Sequence, residues 1–333
     1  MTLKKLKTTL VPHIEGVDIS ENYLALFTGQ RAVVLNRKLE IIHDIRNLKY
    51  IYDGRISPDE KRLLLTGTGS NIMLYSFENE DIYDKITLRK PYNGNITGRA
   101  IWSRDGEKIF VLPMNVETTT NIVRIFEADN LKKHKDIDIL NYLMYDIIHI
   151  ENDQYAVLAY KRETECYYII LFDSQKTKIM QLSRFDNRMI QDVNYDYVTE
   201  LFELDGWSEI IYVEKNCKAS LKPTIPNELT VRENIRKITD DVNKSNYYFE
   251  YLKEVNLLEK TLIDGLKKIT LSKNGKYIFV VTNMELIVLS TEKREILQKE
   301  KIDLSVKGFQ EFDDGVLIAT SKEQLFMYKL VEE

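Results

Sequence analysis

The sequence predicts an all-β protein, a seven-bladed β-propeller with four antiparallel strands in each blade. A hairpin pattern, in which a polar turn that begins with serine separates two apolar strands, recurs along the chain and is clearest at 269–281. Over most of the chain these turns repeat roughly every 40 to 50 residues, the spacing of four-stranded propeller blades. Several third strands also end in an aromatic residue before a polar turn, as at Tyr75, Phe126 and Phe172.

Each predicted unit is anchored by one Asp or Asn in the turn of its first hairpin. The anchors are Asn22, Asp59, Asp105, Asn152, Asp205, Asn274 and Asp314. Asp and Asn side chains hydrogen-bond to their own backbone in turns, so a turn alone explains their presence. We therefore interpret these residues as structural and not as calcium ligands.

The first four units show four apolar strands each. The first has strands at 17–20, 23–27, 31–35 and 40–45, and the second at 52–57, 62–66, 71–76 and 85–88. The third has strands at 98–103, 108–112, 121–126 and 135–140, and the fourth at 145–150, 155–160, 167–172 and 177–182. Runs this short and apolar between polar turns are typical of strands.

The fifth unit breaks the pattern. Its first hairpin is predicted at 197–204 and 208–213, and its third strand at 247–251. The insertion at 214–246 contains a capping box, Thr230 to Glu233, followed by apolar residues at helical spacing: Val231, Ile235, Ile238 and Val242. We predict one amphipathic helix over roughly 231–243.

The sixth unit has its first hairpin over 269–281 and further strands at 285–290 and 295–298, whereas the seventh has only three strands, at 306–312, 315–319 and 324–328. The N-terminal segment 4–10 alternates weakly and belongs to no unit. We expect it to pair as the outer strand of the last blade, which closes the ring and removes both open edges. The whole chain, 1–333, is then a single domain.

In period and strand order the chain resembles the seven-bladed propellers of the WD40-like superfamily. The Gly-His and Trp-Asp dipeptides of true WD40 repeats are absent, and the hairpins that begin at Ser103 and Ser272 look more like bacterial propeller repeats. The resemblance implies a scaffold used for binding or for catalysis, with partners usually docking on the face that carries the loops between blades.

Composition narrows the function classes. The formal net charge is −5 and basic residues are not segregated into blocks, so we expect no nucleic-acid partner. No apolar run is long enough to span a bilayer, so we expect no membrane insertion. The two cysteines, Cys166 and Cys217, are far apart, as in a reducing compartment, and we place the protein in the cytoplasm.

No linear motif for catalysis or cofactor binding is present. The four histidines, His13, His43, His134 and His149, are scattered without metal-ligand spacing, and we expect no metal or cofactor. Trp102 and Trp207 lie beside turns and are interpreted as core residues.

The hypothesis that follows is a non-enzymatic scaffold that presents a rigid surface to another protein. Because the insertion is the feature that the repeat does not explain, we predict that Arg232, Arg236, Lys237 and Asp240 on its helix contact the partner. The alternative is a propeller enzyme, a hydrolase or lyase, whose site is assembled at the central channel from side chains of several blades. A third possibility is a subunit of a larger bacterial assembly.

Overall fold

The structure is a computed structural model, and within the residues it describes nearly all regular structure is β-strand. The described residues are 2–11, 13–67, 71–87, 99–112, 122–139, 141–150, 154–172, 177–181, 190–196, 201–206, 210–214, 220–221, 247–257, 260–261, 264, 266–272, 274–301, 308–313, 316–320 and 324–331. The chain divides into two compact units. We call residues 12–185 the N-terminal unit, and residues 1–11 with 186–333 the C-terminal unit.

The first strand, β1 (Thr2–Leu10), belongs to the C-terminal unit, and the N-terminal unit begins with β2. Its first sheet contains β2 (Gly16–Ile19), β3 (Tyr23–Phe27), β4 (Ala32–Asn36) and β5 (Ile41–Ile45). The second contains β6 (Ile51–Ile56), β7 (Arg62–Gly67), β8 (Asn71–Ser76) and β9 (Asp81–Thr87). The third contains β10 (Arg99–Trp102), β11 (Lys108–Leu112), β12 (Ile122–Glu127) and β13 (Lys133–Asp138). The fourth contains β14 (Leu143–His149), β15 (Tyr155–Lys161), β16 (Cys166–Phe172) and β17 (Thr177–Gln181).

All four sheets are antiparallel meanders in chain order, and each strand lies within a few residues of its predicted place. Consecutive sheets pack face to face, and the second sheet shows how. Leu63 and Leu65 belong to a core cluster shared with the first sheet, whereas Leu64 between them belongs to a cluster shared with the third. Since successive side chains point to opposite faces and both faces are covered, an inner strand reads as an unbroken apolar run.

The C-terminal unit holds three further four-stranded sheets among the described residues. One contains β18 (Ile190–Asp196), β19 (Leu201–Gly206), β20 (Ile210–Glu214) and β21 (Ser220–Leu221). After the helix α1 (Tyr247–Glu254) comes a sheet of β22 (Leu266–Leu271), β23 (Tyr277–Thr282), β24 (Glu285–Ser290) and β25 (Glu295–Lys301). The last contains β26 (Gly308–Asp313), β27 (Val316–Thr320), β28 (Gln324–Val331) and β1.

The predicted pairing of the N-terminal segment is present. β1 lies antiparallel to β28, from Thr2 opposite Val331 to Leu10 opposite Gln324. It therefore supplies the fourth strand of a sheet that otherwise has three, in the order β1-β28-β27-β26. The two ends of the chain are held together by main-chain hydrogen bonds, and β28 is not left as an edge strand.

The fifth unit requires two corrections. Its first hairpin is formed by β18 and β19, so Asp205 lies within β19 and not in the first turn. The predicted third strand at 247–251 is wrong, because this segment belongs to α1 and the third strand is β20. Aromatic residues favour strands, but here tertiary burial decides the conformation.

Helix α1 has two buried side chains and a hydrogen-bonded C-terminal cap. Tyr251 and Leu252 are buried, and the Tyr251 hydroxyl donates a hydrogen bond to the Ser290 carbonyl. At the C-terminus the Asn256 N–H bonds to the Lys253 carbonyl at 3.1 Å and the Leu257 N–H to the Leu252 carbonyl at 2.8 Å. With Asn256 in the left-handed region (φ 56°), this is a Schellman cap, which terminates the helix.

Candidate functional site

The residues predicted to contact a partner lie outside the described part of the chain. These are Arg232, Arg236, Lys237 and Asp240, together with the predicted helix over 231–243. The described elements that flank them in sequence are β21 and α1. Since β21 pairs with β20, the fifth sheet already has four strands before residue 222, and the predicted position of the insertion between second and third strands is wrong.

In three of the predicted hairpin turns the Asp or Asn side chain is hydrogen-bonded within the turn itself. Ser57 Oγ donates to Asp59 Oδ1 at 2.5 Å and accepts a hydrogen bond from the Arg62 N–H at 2.9 Å. The same two bonds recur in two other turns, where Ser103 joins Asp105 and Lys108, and Ser272 joins Asn274 and Tyr277. This geometry confirms the structural interpretation of these side chains, since each closes its own turn.

A different set of charged residues lies on the first strands of the N-terminal unit. β2, β6, β10 and β14 lie in order, each in contact with the next. We call their charged side chains the inner charge row, whose members are Asp18, Asp53, Arg55, Arg99 and Asp146. Asp18 and Arg55 stand two residues before a turn serine, and Asp53 and Arg99 stand four before one. Asp146 stands four residues before Ile150, which takes the place of the serine in the fourth sheet.

Equivalent positions of neighbouring sheets pair with opposite charge. Arg55 Nη1 donates to Asp53 Oδ1 at 2.5 Å, and Arg55 Nε lies 3.9 Å from Asp18 Oδ1 in the preceding sheet. Arg99 Nη1 lies 3.1 Å from the other oxygen of Asp53, and Arg99 Nε lies 3.9 Å from Asp146 Oδ1 in the following sheet. The charges therefore alternate in sign across four sheets.

Backbone groups complete the row. The Ile56 N–H of the second sheet donates to Asp18 Oδ2 of the first sheet at 2.7 Å. Arg55 Nη1 also donates to the Gly54 carbonyl at 2.7 Å. The Ile147 N–H donates to Asp146 Oδ1 at 2.9 Å. All three carboxylates thus accept charge-assisted hydrogen bonds or contact a guanidinium, which partly offsets their removal from water.

The surroundings shift the pKa values of two of these carboxyl groups, Asp18 and Asp53, in opposite directions. Burial raises the pKa of Asp18, helped by the negative charge of Asp53 and opposed by Arg55. Burial alone would also raise the pKa of Asp53, but Arg55 and Arg99 outweigh it and hold that pKa below its usual value. For Arg55, burial favours the neutral form, yet Asp53 and Asp18 together raise its pKa. Opposed carboxyl pKa values are a pattern that catalytic sites also use.

Three carboxylates and two guanidiniums leave the row with one formal negative charge. The side chains are sheltered but not sealed, since Asp18, Asp53, Arg55 and Arg99 each keep between 17% and 28% of their side-chain surface exposed. Chemically, the row can fasten neighbouring sheets, and its burial shifts the pKa of Asp18 toward the neutral form. Sequence reasoning missed it, although charged residues at fixed offsets before a turn serine on apolar strands were a visible signal.

The histidines of the N-terminal unit have separate surroundings. His43 stacks on Phe77 with ring centroids 4.7 Å apart, and His134 Nδ1 lies 2.6 Å from Glu127 Oε1. His149 packs edge-on against a tyrosine at 5.4 Å. Among the described residues, no group of three or more His, Cys, Asp and Glu side chains is arranged to hold a metal ion.

Trp102 is a core residue, as predicted. It is buried, its indole N–H donates to the Arg55 carbonyl at 2.9 Å, and the Arg62 guanidinium lies 4.9 Å from the centre of its ring. Its partner in the prediction, Trp207, lies outside the described residues. The indole therefore ties the third sheet to the strand that carries the centre of the inner charge row.

Two sequence comparisons and one structural comparison bear on the family. No family model matches the sequence, and no curated protein matches it. Among solved structures, the β-propeller domain of Cps50 (Swd1) from Myceliophteria thermophila is similar, with a TM-score of 0.63 and 10% sequence identity. The match covers 99% of this chain and 100% of that one. At this identity the likeness establishes the fold, a β-propeller, and not the activity.

Within the described residues, no helix is both long and apolar enough to cross a membrane.

Proposed function

We propose that this chain is a non-enzymatic scaffold that binds another protein, built as a closed seven-bladed β-propeller in a single domain, 1–333. The four-stranded sheets, the β1–β28 pairing and the likeness to a propeller domain support this architecture. The proposal is carried by one observation: inner strands such as Leu63–Leu65 bury side chains against both neighbouring sheets. Sheet faces used in this way are not available to partners, so recognition falls to the connecting loops.

The segment between β21 and α1 is the proposed docking element. It is the longest connection in the repeat pattern, and its sequence combines a capping box with the cations Arg232, Arg236 and Lys237 and the carboxylate Asp240. Long connections in compact domains are usually functional or act as linkers. We place the protein in the cytoplasm, where a partner would be another protein or a protein complex.

The test is affinity purification from the native host with quantitative mass spectrometry. Tagged wild-type chain is compared with Arg232→Ala/Arg236→Ala/Lys237→Ala, and with a control that removes three lysines elsewhere, Lys61→Ala/Lys85→Ala/Lys276→Ala. The expected result is a partner that the wild type and the control retain and the arginine variant loses. Recovery of every partner by the arginine variant would contradict the docking element.

A second candidate, a hydrolase or lyase, is favoured by one specific observation. The inner charge row brings three carboxylates from three sheets together with two guanidiniums, and one carboxyl, Asp18, has a raised pKa. A carboxyl group whose pKa is raised, in a site that also contains cationic groups, is a candidate general acid. The test is turnover of a panel of nitrophenyl esters, phosphates and glycosides by the wild type and by Asp18→Asn. Equal rates in the two proteins would exclude a role for the row.

A further inference from the structure

The connection between the first two sheets of the N-terminal unit, residues 46–50, is fixed at three points. The Leu48 N–H donates to the Gln30 carbonyl at 3.0 Å, and the Leu48 side chain is buried. Gly29 and Ile51 exchange two hydrogen bonds, of 2.8 and 3.0 Å. Because these bonds tie the connection to the 28–31 turn, the connection presents its exposed side chains from a rigid support.

Tyr50, the last residue of this connection, is both strained and exposed. Its φ of 59° lies in the left-handed region, which is unfavourable for a bulky side chain, and 61% of its surface is exposed. Its carbonyl oxygen faces Gly67, where an added Cβ would lie only 1.8 Å away. Asn47 also has a positive φ, 60°, but asparagine tolerates that conformation.

Tyrosine is not a residue type that this backbone conformation favours. Glycine or asparagine would adopt the same backbone with less strain, and an exposed ring contributes little burial. Strain that the surrounding structure enforces is found preferentially at functional sites. Tyrosine is also among the residues that dominate the centres of protein interfaces.

The connection and the 28–31 turn that it is bonded to carry three cations, Arg31, Arg46 and Lys49. Arg31 and Arg46 share one carboxylate, Asp44, with contacts of 2.5 and 2.6 Å, and Lys49 beside Tyr50 makes no ion pair among the described residues. Three cations against one carboxylate leave two positive charges, on a chain whose net charge is −5. The shared Asp44 orients both guanidiniums, and they hold its pKa low: the Arg46 hydrogen bond contributes most, Arg31 adds to it, and burial opposes them.

We propose that this surface, formed by Arg31, Arg46, Lys49 and Tyr50 and called the Tyr50 corner, binds an acidic segment of a partner protein. The inference rests on the proposed scaffold function and names the chemistry of one partner segment. The tyrosine offers a rigid amphipathic anchor, and the cations offer charge complementarity to carboxylates. Nucleic-acid binding draws its affinity from many phosphate contacts, and two excess positive charges on a net acidic chain supply few of them, so a short acidic protein segment is the occupant that fits.

The experiment uses the full chain and immobilised synthetic peptides. One set is rich in glutamate and aspartate, and the second replaces every glutamate with lysine and every aspartate with arginine. The variants are Tyr50→Asn, which retains a residue suited to the backbone, and Arg46→Glu/Lys49→Glu. The charge-matched control is Lys61→Glu/Lys85→Glu, which reverses two exposed cations outside the corner.

We expect the wild type and the control to retain members of the acidic set, and both corner variants to lose at least about tenfold in affinity for them. Tyr50→Asn should have an unfolding temperature at least equal to that of the wild type, which separates lost binding from lost folding. The proposal would be overturned if Arg46→Glu/Lys49→Glu still retained the acidic peptides. It would also be overturned if the wild type preferred the basic set or bound neither set. Preferential capture of RNA or of anionic vesicles in parallel assays would overturn it as well.

The affinity purification with Arg232→Ala/Arg236→Ala/Lys237→Ala distinguishes failure of the Tyr50 corner proposal from failure of the scaffold function. If that variant loses a partner that the corner variants retain, and no peptide binds the corner, the corner proposal fails and the scaffold stands. If the wild type retains no partner in the purification, the scaffold function itself fails.

Discussion

Replacing Arg55 with methionine should lower the free energy of unfolding by about 3 kcal/mol at neutral pH. The guanidinium bonds Asp53 at 2.5 Å and the Gly54 carbonyl at 2.7 Å, and lies 3.9 Å from Asp18. A hydrogen bond to a charged group contributes about 1.5–3 kcal/mol, and breaking a fully buried pair costs about 3–5 kcal/mol. The value for Arg55 falls at the lower end because 27% of its side chain is exposed. Methionine keeps much of the side-chain volume, so the loss reports the charge.

The difference in free energy of unfolding between the wild type and Arg55→Met should become smaller as the pH falls. The direction of this change follows from the pKa shifts of Asp53 and Asp18. The lowered pKa of Asp53 means that its stabilising contribution is present above about pH 4 and is lost as the pH falls through the folded-state pKa. The raised pKa of Asp18 means that its contribution is full at low pH and is lost as the pH rises through the raised value. Because Arg55 lowers the pKa of both carboxyl groups, its removal weakens the contribution of Asp53 near neutral pH and strengthens that of Asp18 at low pH. The free energy of unfolding of the variant should therefore fall most at neutral pH.

The assay is urea unfolding at a series of pH values, with Arg46→Met as the matched control. Arg46 contacts Asp44 at 2.6 Å, a distance close to that of the Arg55 pair, but 70% of its side chain is exposed. Solvent screening should therefore make its removal nearly neutral. Addition of Asp53→Asn to Arg55→Met should recover part of the loss, since without Arg55 the Asp53 carboxylate is left with Arg99 alone as its ionic partner. Equal midpoints for Arg55→Met and Arg46→Met, or a deficit that grows at low pH, would refute this account of the row.

Three further predictions concern the fold. In calorimetry, Gly67→Ala should destabilise the protein by several kcal/mol, because the added Cβ would lie 1.8 Å from a backbone carbonyl oxygen. Gly275→Ala should lose only about 1 kcal/mol, because its φ is 71° but no atom lies within 4 Å of the added Cβ. Equal losses in the two variants would contradict the steric argument. Ser103→Ala should lose about 1–2 kcal/mol in urea unfolding, because Asp105 and a backbone N–H lose their partner, and Ser103→Thr should lose less. Deletion of Thr2–Leu10 should cause self-association in light scattering, because β28 becomes an open edge; a stable monomer would show that the edge is covered otherwise.

Much of the strand pattern could be predicted because both faces of the inner strands are buried. Leu63–Leu65 reads as an apolar run since one side chain packs toward one neighbouring sheet and two toward the other. The turn serines mark the register, because their hydroxyls and the Asp or Asn two residues on close the hairpin locally. Local chemistry of this kind is readable without knowledge of distant contacts.

The fifth unit shows where local chemistry misleads. Asp205 and Gly206 resemble a hairpin anchor, but they end β19, and the first strand of that sheet lies upstream in β18. The aromatic run that begins at Tyr247 has strand propensity, yet it folds as α1 around buried Tyr251 and Leu252. Propensity is a weak prior, and the burial available in the tertiary structure overrides it.

The sequence by itself determined the repeat: the turns, most of the strands, and the pairing of the N-terminal segment with the last sheet. It determined these because turn closure and apolar periodicity act over a few residues, and because a unit one strand short leaves a specific edge to fill. Only the tertiary structure decided which charges meet. Asp18, Arg55 and Arg99 belong to separate repeats, and they form one row because consecutive sheets pack against one another. The same packing places Tyr50, an ordinary residue in the sequence, in a strained and exposed conformation that only the folded backbone imposes.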